Sequence, residues 1–153
     1  MTALELKIPP PAVALILAVA MWGLSECTPA INVPFPVRAL GALAMALMGG
    51  VISAAGARAF RRAQTTINPM KPEKTSALVT EGIYRVTRNP MYVGLLCVLA
   101  GWAFYLAAPW VLAGPAAFFA YISRFQIAPE ERVLSAMFGE AYAAYQAQVR
   151  RWL

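Results

Sequence analysis

Two short polar clusters in an otherwise apolar chain hold the residues able to do chemistry. The first, Gly82-Ile-Tyr-Arg-Val-Thr-Arg-Asn-Pro-Met-Tyr-Val-Gly94, sets Tyr84, Arg85, Arg88, Asn89 and Tyr92 at the head of a long apolar run. The second, Arg124 to Arg132, carries Gln126 and the adjacent acids Glu130 and Glu131. Two apolar runs separate the clusters. If those runs fold as a helical hairpin, the chain returns to the same end and the clusters share one site. A backbone-rich loop, Ser76-Ala77-Leu78-Val79, precedes the first cluster. A carboxylate pair holds an ammonium group, and loop amides hold an anion or the edge of an adenine. The set suits a zwitterionic ligand lying beside an apolar one.

Composition narrows the chemistry further. The chain has 153 residues, no His and no Asp. That excludes a histidine general base, a Ser-His-Asp triad and any His-ligated zinc or haem. Cys27 and Cys97 alone make no cysteine metal site and read as small apolar fillers. No metal is expected. There is no GxGxxG loop and no P-loop, so nothing points to a Rossmann-type cofactor site.

The elements that must position these residues are membrane helices. Hydrophobic residues make up 60% of the chain and charged ones only 13%, about half the share usual in a soluble domain. The apolar residues come in blocks, which marks a membrane protein, and the length allows one bundle. Ala12 to Cys27 reads as a first spanning helix. The proline-rich stretch Thr28 to Pro36 is a turn. Val37 to Phe60 is a second helix, rich in small residues that let helices approach closely, and is expected at the centre of the bundle. Tyr92 to Ala107 and Trp110 to about Ala128 are the third and fourth runs, with a turn at Ala108-Pro109 and a kink expected at Pro115. Pro129 then opens a new helix, with Glu130 and Glu131 favoured in its first turn by the helix dipole. Leu134, Phe138, Ala141, Tyr142, Tyr145, Val149 and Trp152 recur at helical spacing and predict an amphipathic C-terminal helix at the membrane surface.

Charge sets the orientation. Net charge is +6, but the basic residues lie between apolar runs, which is a topology signal and no nucleic-acid footprint. Arg58, Arg61, Arg62, Lys71, Lys74, Arg85 and Arg88 fall in one polar segment, while the other turns carry little charge. By the positive-inside rule the segment 58–90 is cytoplasmic, and with four spans both termini are too. The expected fold is therefore an all-α polytopic bundle of about four transmembrane helices with a C-terminal cytoplasmic amphipathic helix. As one domain, 1–153, it divides into two N-terminal spans (1–57), a cytoplasmic cofactor segment (58–90), a transmembrane hairpin (91–128) and the C-terminal helix (129–153). In a bacterium it would lie in the inner membrane.

The spaced blocks Gly82-x-Tyr84, Arg88-Asn89-Pro90-x-Tyr92-x-Gly94, Glu130-Glu131-x-x-Leu134, Phe138-Gly139-x-x-Tyr142-x-x-Tyr145 and Val149-Arg-Arg-Trp-Leu153 resemble the isoprenylcysteine carboxyl methyltransferase and phospholipid methyltransferase family. The likeness covers residues 75–153. It implies an integral-membrane enzyme that uses S-adenosyl-L-methionine, in a pocket closed from the cytosol by the C-terminal segment, on a lipophilic or lipidated substrate entering from the bilayer. Carried over by position, Ser76, Ala77, Leu78, Val79, Tyr84, Asn89, Pro90, Met91 and Tyr92 contact the cofactor, and Glu130 binds its amino group. Glu131 supports Glu130 or serves as a base, and Arg88 stands with it as catalytic. Arg124 and Gln126 face the substrate.

Two departures from the family pattern bear on the substrate. The family often has Arg-His-Pro where this chain has Arg88-Asn89-Pro90, and asparagine does not titrate. Prenylcysteine enzymes carry an arginine shortly before the acid pair, where this chain has Gln126. Two other classes fit the same outline: an NADPH-dependent reductase on a related scaffold, and a membrane scaffold without catalysis.

Overall fold

The computed structural model describes residues 5–64 and 76–153. Lys71, Glu73 and Lys74, part of the expected cytoplasmic segment, lie outside the described residues. Five α-helices follow in order: α1 Pro10–Glu26, α2 Phe35–Arg62, α3 Pro90–Leu106, α4 Ala113–Ile122 and α5 Ala128–Gln148. Among the described residues there is no β-strand. Prolines sit in the first turns of α1, α2 and α3, where the missing N–H has no helical partner to lose.

By length and composition, α2 and the continuous helical run Pro109–Gln148 are long and apolar enough to cross a membrane. Helices α1 and α3, each of 17 residues, extend about 25 Å at the helical rise per residue. That nearly matches the hydrocarbon thickness of about 30 Å.

The core draws on three helices. Val13 and Met21 of α1, Leu99 and Ala103 of α3, and Phe118 and Ile122 of α4 pack into one buried cluster. Helix α2 packs along α3 by backbone approach. A Cβ on Gly49 or on Gly94 would meet the other's carbonyl oxygen, and one on Gly56 would meet Pro90. The small residues therefore act on one face of α2. The central place expected for this helix is not what the fold shows: Leu40, Leu43, Leu47 and Val51 are all exposed on its other side. An apolar face of that size is stable only against lipid or another helix.

The second half of the bundle departs from the sequence reading at Pro129. A new helix was expected to open there, yet the chain stays helical from Pro109 to Gln148. Residues Ser123–Ile127 form a π turn, which joins α4 to α5 without a break. The real bend comes at Gly139, whose φ of 52° interrupts α5 in a conformation that side-chain-bearing residues rarely adopt. Pro115 lies just past the 3₁₀ turn Pro109–Leu112, in the first turn of α4.

The two ends of the bundle differ in kind. At one end, Arg38 donates to the Tyr105 carbonyl (3.3 Å) and Ile31 N–H to the Ala107 carbonyl (2.6 Å), tying the α1–α2 connection to the end of α3. Trp102 and Tyr105 stack there at 5.5 Å. At the other end lie both polar clusters, residues 5–6 and the C-terminal residues 149–153.

Candidate functional site

Helix α3 opens at Pro90, so Tyr92 sits in its first turn and points its ring into the bundle. Its hydroxyl donates to Glu130 Oε1 at 2.6 Å. Gln126 Nε2 donates to the same oxygen at 2.8 Å. These three residues, from both sequence clusters, form the centre of the site. The hairpin of α3 and α4 brings them together as the sequence predicts. Gln126 is 2% exposed, so the amide serves this contact and not solvent.

Glu130 stands two residues past Ala128, where the fourth apolar run of the sequence ends. Burial pushes its carboxyl up from its ordinary 4.5 to about 7, against the lowering effect of the Tyr92 and Gln126 hydrogen bonds. A buried carboxylate with two neutral donors and, among the described residues, no cation calls for a positive partner. The nearby phenol of Tyr84 feels it too: burial first, then Tyr145 and Glu130, hold its pKa well above the ordinary tyrosine range.

Glu131, one residue on, has a different environment. Arg88 Nη2 lies 3.1 Å from its Oε1, Arg151 Nε donates to the same oxygen at 3.1 Å, and Arg151 Nη2 holds Oε2. Both oxygens are taken by guanidinium groups. Arg88 and Glu131 are 11% and 13% exposed, so this is a partly buried pair of the kind that breaks at high cost. Among the described residues, Arg88 Nε and Nη1 are buried with no acceptor. The site thus offers, among the described residues, one carboxylate without a cation and, on a guanidinium already paired with Glu131, two nitrogens without an acceptor.

The C-terminal residues pack beside this centre. Past Gln148 the chain turns extended, and its carbonyls are received by the Tyr84–Asn89 side. Arg88 N–H donates to Arg150 O (3.0 Å), and Asn89 Nδ2 donates to Arg151 O (2.8 Å). Thr87 Oγ1 donates to the same Arg151 carbonyl at 3.4 Å. Trp152 then docks against Phe119 at 4.7 Å, and its indole donates to Ser123 Oγ. Beneath the strap, Tyr84, Tyr142, Tyr145 and Val149 form a second buried cluster. The Tyr145 hydroxyl donates to the Tyr84 carbonyl at 2.7 Å.

A model of phospholipid methyltransferases matches residues 37–141, more than half of the chain. The chain belongs to the phospholipid methyltransferase family. It is 41% identical over 63 residues to an uncharacterized protein of Haemophilus influenzae, matched over that protein's whole length and 41% of this chain. It is 30% identical over 110 residues to protein-S-isoprenylcysteine O-methyltransferase B of Arabidopsis thaliana, which covers 70% of this chain and 54% of the plant protein. The chain therefore spans about half the length of that plant relative. The family is one of methyltransferases, and the family model takes in α2 and α3, the π turn and both acids of the site.

Within this family member the sequence-predicted residues fall into three groups. Tyr92, Gln126 and Glu130 are bonded together, with Arg88 and Glu131 one residue aside. Asn89, Pro90 and Met91 reach structural partners: Asn89 the Arg151 carbonyl, Pro90 and Met91 the face of α2 around Gly56. Of the loop, Ser76 is exposed and Ala77 half-buried, while Leu78 and Val79 pack on the tyrosine cluster with Tyr84. Arg124 is the departure. Its side chain is 60% exposed and reaches Glu5 at 3.6 Å, away from Glu130, so only Gln126 of the expected substrate pair joins the site.

Arg151 and Thr87 have site contacts that the sequence reading did not assign, and Glu5 holds Arg124 and Arg132 beside the site. Arg151 carried a usable signal: two adjacent acids facing one arginine at 88 leave room for a second cation. Glu5 and Thr87 carried none, because their partners are distant in sequence.

Proposed function

We propose that this chain transfers the methyl group of S-adenosyl-L-methionine to a lipophilic, membrane-embedded substrate, isoprenoid-like or phospholipid-like, at the cytoplasmic face of a membrane. The observation that carries the reading is the buried Glu130 carboxylate, held by Tyr92 and Gln126 with no cation on it among the described residues. The donor set fits the cofactor: Glu130 for its ammonium, and the two buried unpaired N–H groups of Arg88 for its carboxylate. The rings of Tyr84 and Tyr92 suit a sulfonium. When bound, the cofactor supplies an electrophilic methyl group.

The residues then bind, orient and exclude water. Tyr92 and Gln126 fix the Glu130 oxygen, and the strap 149–153 covers the centre, so catalysis rests on positioning in a closed space. Glu131 is better read as the latch of that strap than as a base, since guanidinium groups occupy both oxygens. A nucleophile that arrives ionised, a thiolate or a carboxylate, needs no base. The whole chain is read as one domain with four spans, α1, α2, α3 and the α4 run, and with both termini cytoplasmic. The apolar faces of α1 and α2 would meet lipid, and the substrate would enter from it.

Calorimetric titration of S-adenosylhomocysteine into detergent-purified protein tests this reading, wild type beside Glu130→Gln. Binding by the wild type that the substitution weakens at least tenfold is the expected result. A folded wild type that ignores S-adenosylhomocysteine and binds NADPH would overturn it in favour of a reductase.

A further inference from the structure

Glu5 is an acid in an unexpected place. Its side chain is 3% exposed, yet it lies outside the site. It takes Arg132 Nη2 at 2.7 Å and Arg124 Nη1 at 3.6 Å. Burying a carboxylate is unfavourable unless it is paired, so the two contacts hold this segment in place. The next residue, Leu6, adopts φ 56°, a strained conformation for a branched side chain. In that bent form its N–H donates to the Phe125 carbonyl at 3.1 Å.

Every one of these contacts falls on the segment that carries Gln126 and Glu130. Phe125 is the middle residue of the π turn Ser123–Ile127. A π turn disturbs the usual i→i−4 ladder, and Pro129, four residues past Phe125, has no N–H to give that carbonyl, so it takes a donor from outside. Leu6 supplies one. Arg124 stands two residues before Gln126, and Arg132 two residues after Glu130. The inserted residue of the π turn lets this stretch face two ways: Arg124 and Arg132 toward the N-terminal segment, Gln126 and Glu130 toward Tyr92.

We propose that Glu5 is a positioning residue: with Leu6 it brackets the π turn at both ends and so fixes Gln126 on Glu130. It touches neither ligand nor reacting atoms and acts through the helix. The inference rests on the cofactor reading for its functional consequence, but its structural content is separately measurable.

The test compares wild type, Glu5→Gln, Arg132→Gln and the swap Glu5→Arg with Arg132→Glu in detergent. Three quantities are read: S-adenosylhomocysteine affinity across pH 6 to 8, melting temperature, and amide exchange of residues 123–127 against α2. Glu5→Gln is expected to weaken affinity about fivefold, less than the direct loss of a charged hydrogen bond because it acts only through the helix. It should also move the midpoint of the pH profile upward, as Gln126 ceases to support the ionised Glu130, and speed exchange in the π turn alone. The swap should recover at least half of the affinity. Should Glu5→Gln prove unfolded, Arg132→Gln, which leaves Arg124 on Glu5, reads the same three quantities. A lowered melting temperature with unchanged affinity and pH midpoint would make Glu5 merely structural and overturn the proposal. Unchanged exchange at 123–127 would overturn it too, even in a wild type that binds no S-adenosylhomocysteine, whereas that failure to bind by itself defeats only the cofactor reading.

Discussion

The Tyr92 hydroxyl and the Glu130 carboxylate, 38 positions apart in sequence, meet at 2.6 Å. This bond ties the first turn of α3 to the start of α5 and sets the direction of the acid. Tyr92→Phe keeps the ring and its packing but removes the donor. The variant is expected to bind S-adenosylhomocysteine about tenfold more weakly at pH 7, the scale of one hydrogen bond to a charged group, as read by calorimetry. Its melting temperature should stay within a few degrees of wild type.

Glu130 also gives the site a pH dependence. Burial pushes its folded-state pKa up from 4.5 to about 7, so below pH 7 the neutral form is favoured in the empty protein. The sign for stability follows: a raised carboxyl makes the folded state lose stability as pH climbs from the unfolded value toward 7, with no further loss above it. Ammonium binding runs the other way, because it needs the ionised acid. S-adenosylhomocysteine affinity should therefore rise about tenfold from pH 6 to pH 8, as the ionised fraction grows through a midpoint near 7. Glu130→Gln should bind weakly and lack this rise.

The adjacent acids should separate cleanly on mutation. Glu131→Gln removes the partner of buried Arg88 and the latch of Arg151. Leaving a buried charge unpaired costs about 3 kcal/mol or more. The expected outcome is a markedly lower melting temperature and faster proteolysis of the strap. Glu130→Gln, which relieves a buried acid without a cation, should leave the melting temperature unchanged or higher. A thermal-shift comparison in detergent reads both.

Helix approach gives a fourth test. Gly94→Ala places a methyl against the Gly49 carbonyl and Ser53 Oγ, and backbone there cannot yield cheaply. The substitution should lower stability by about 2 kcal/mol, on the scale of overpacking. Gly50→Ala, one residue along from Gly49, meets open space and should be neutral or slightly stabilising. Equal effects of the two would refute the α2–α3 packing described above.

Much was legible in the chain by itself, because periodicity and composition are local properties. Apolar blocks separated by proline turns fixed the helices to within a few residues, as α1 at Pro10–Glu26 and α3 at Pro90–Leu106 show. Residue type told which groups could meet an ammonium, and the hairpin logic brought Tyr92, Gln126 and Glu130 together. Partner choice was decided only by the tertiary structure. Glu130 and Glu131 are chemically identical neighbours, and 100° of helical rotation sends one to two neutral donors and the other to two arginines. Arg124 looked like a substrate arginine until the π turn rotated it onto Glu5. No local pattern encodes an extra residue in a helical turn. The balance of contacts around it does, and those contacts come from residues 5–6, the strap and α3, which only folding brings together.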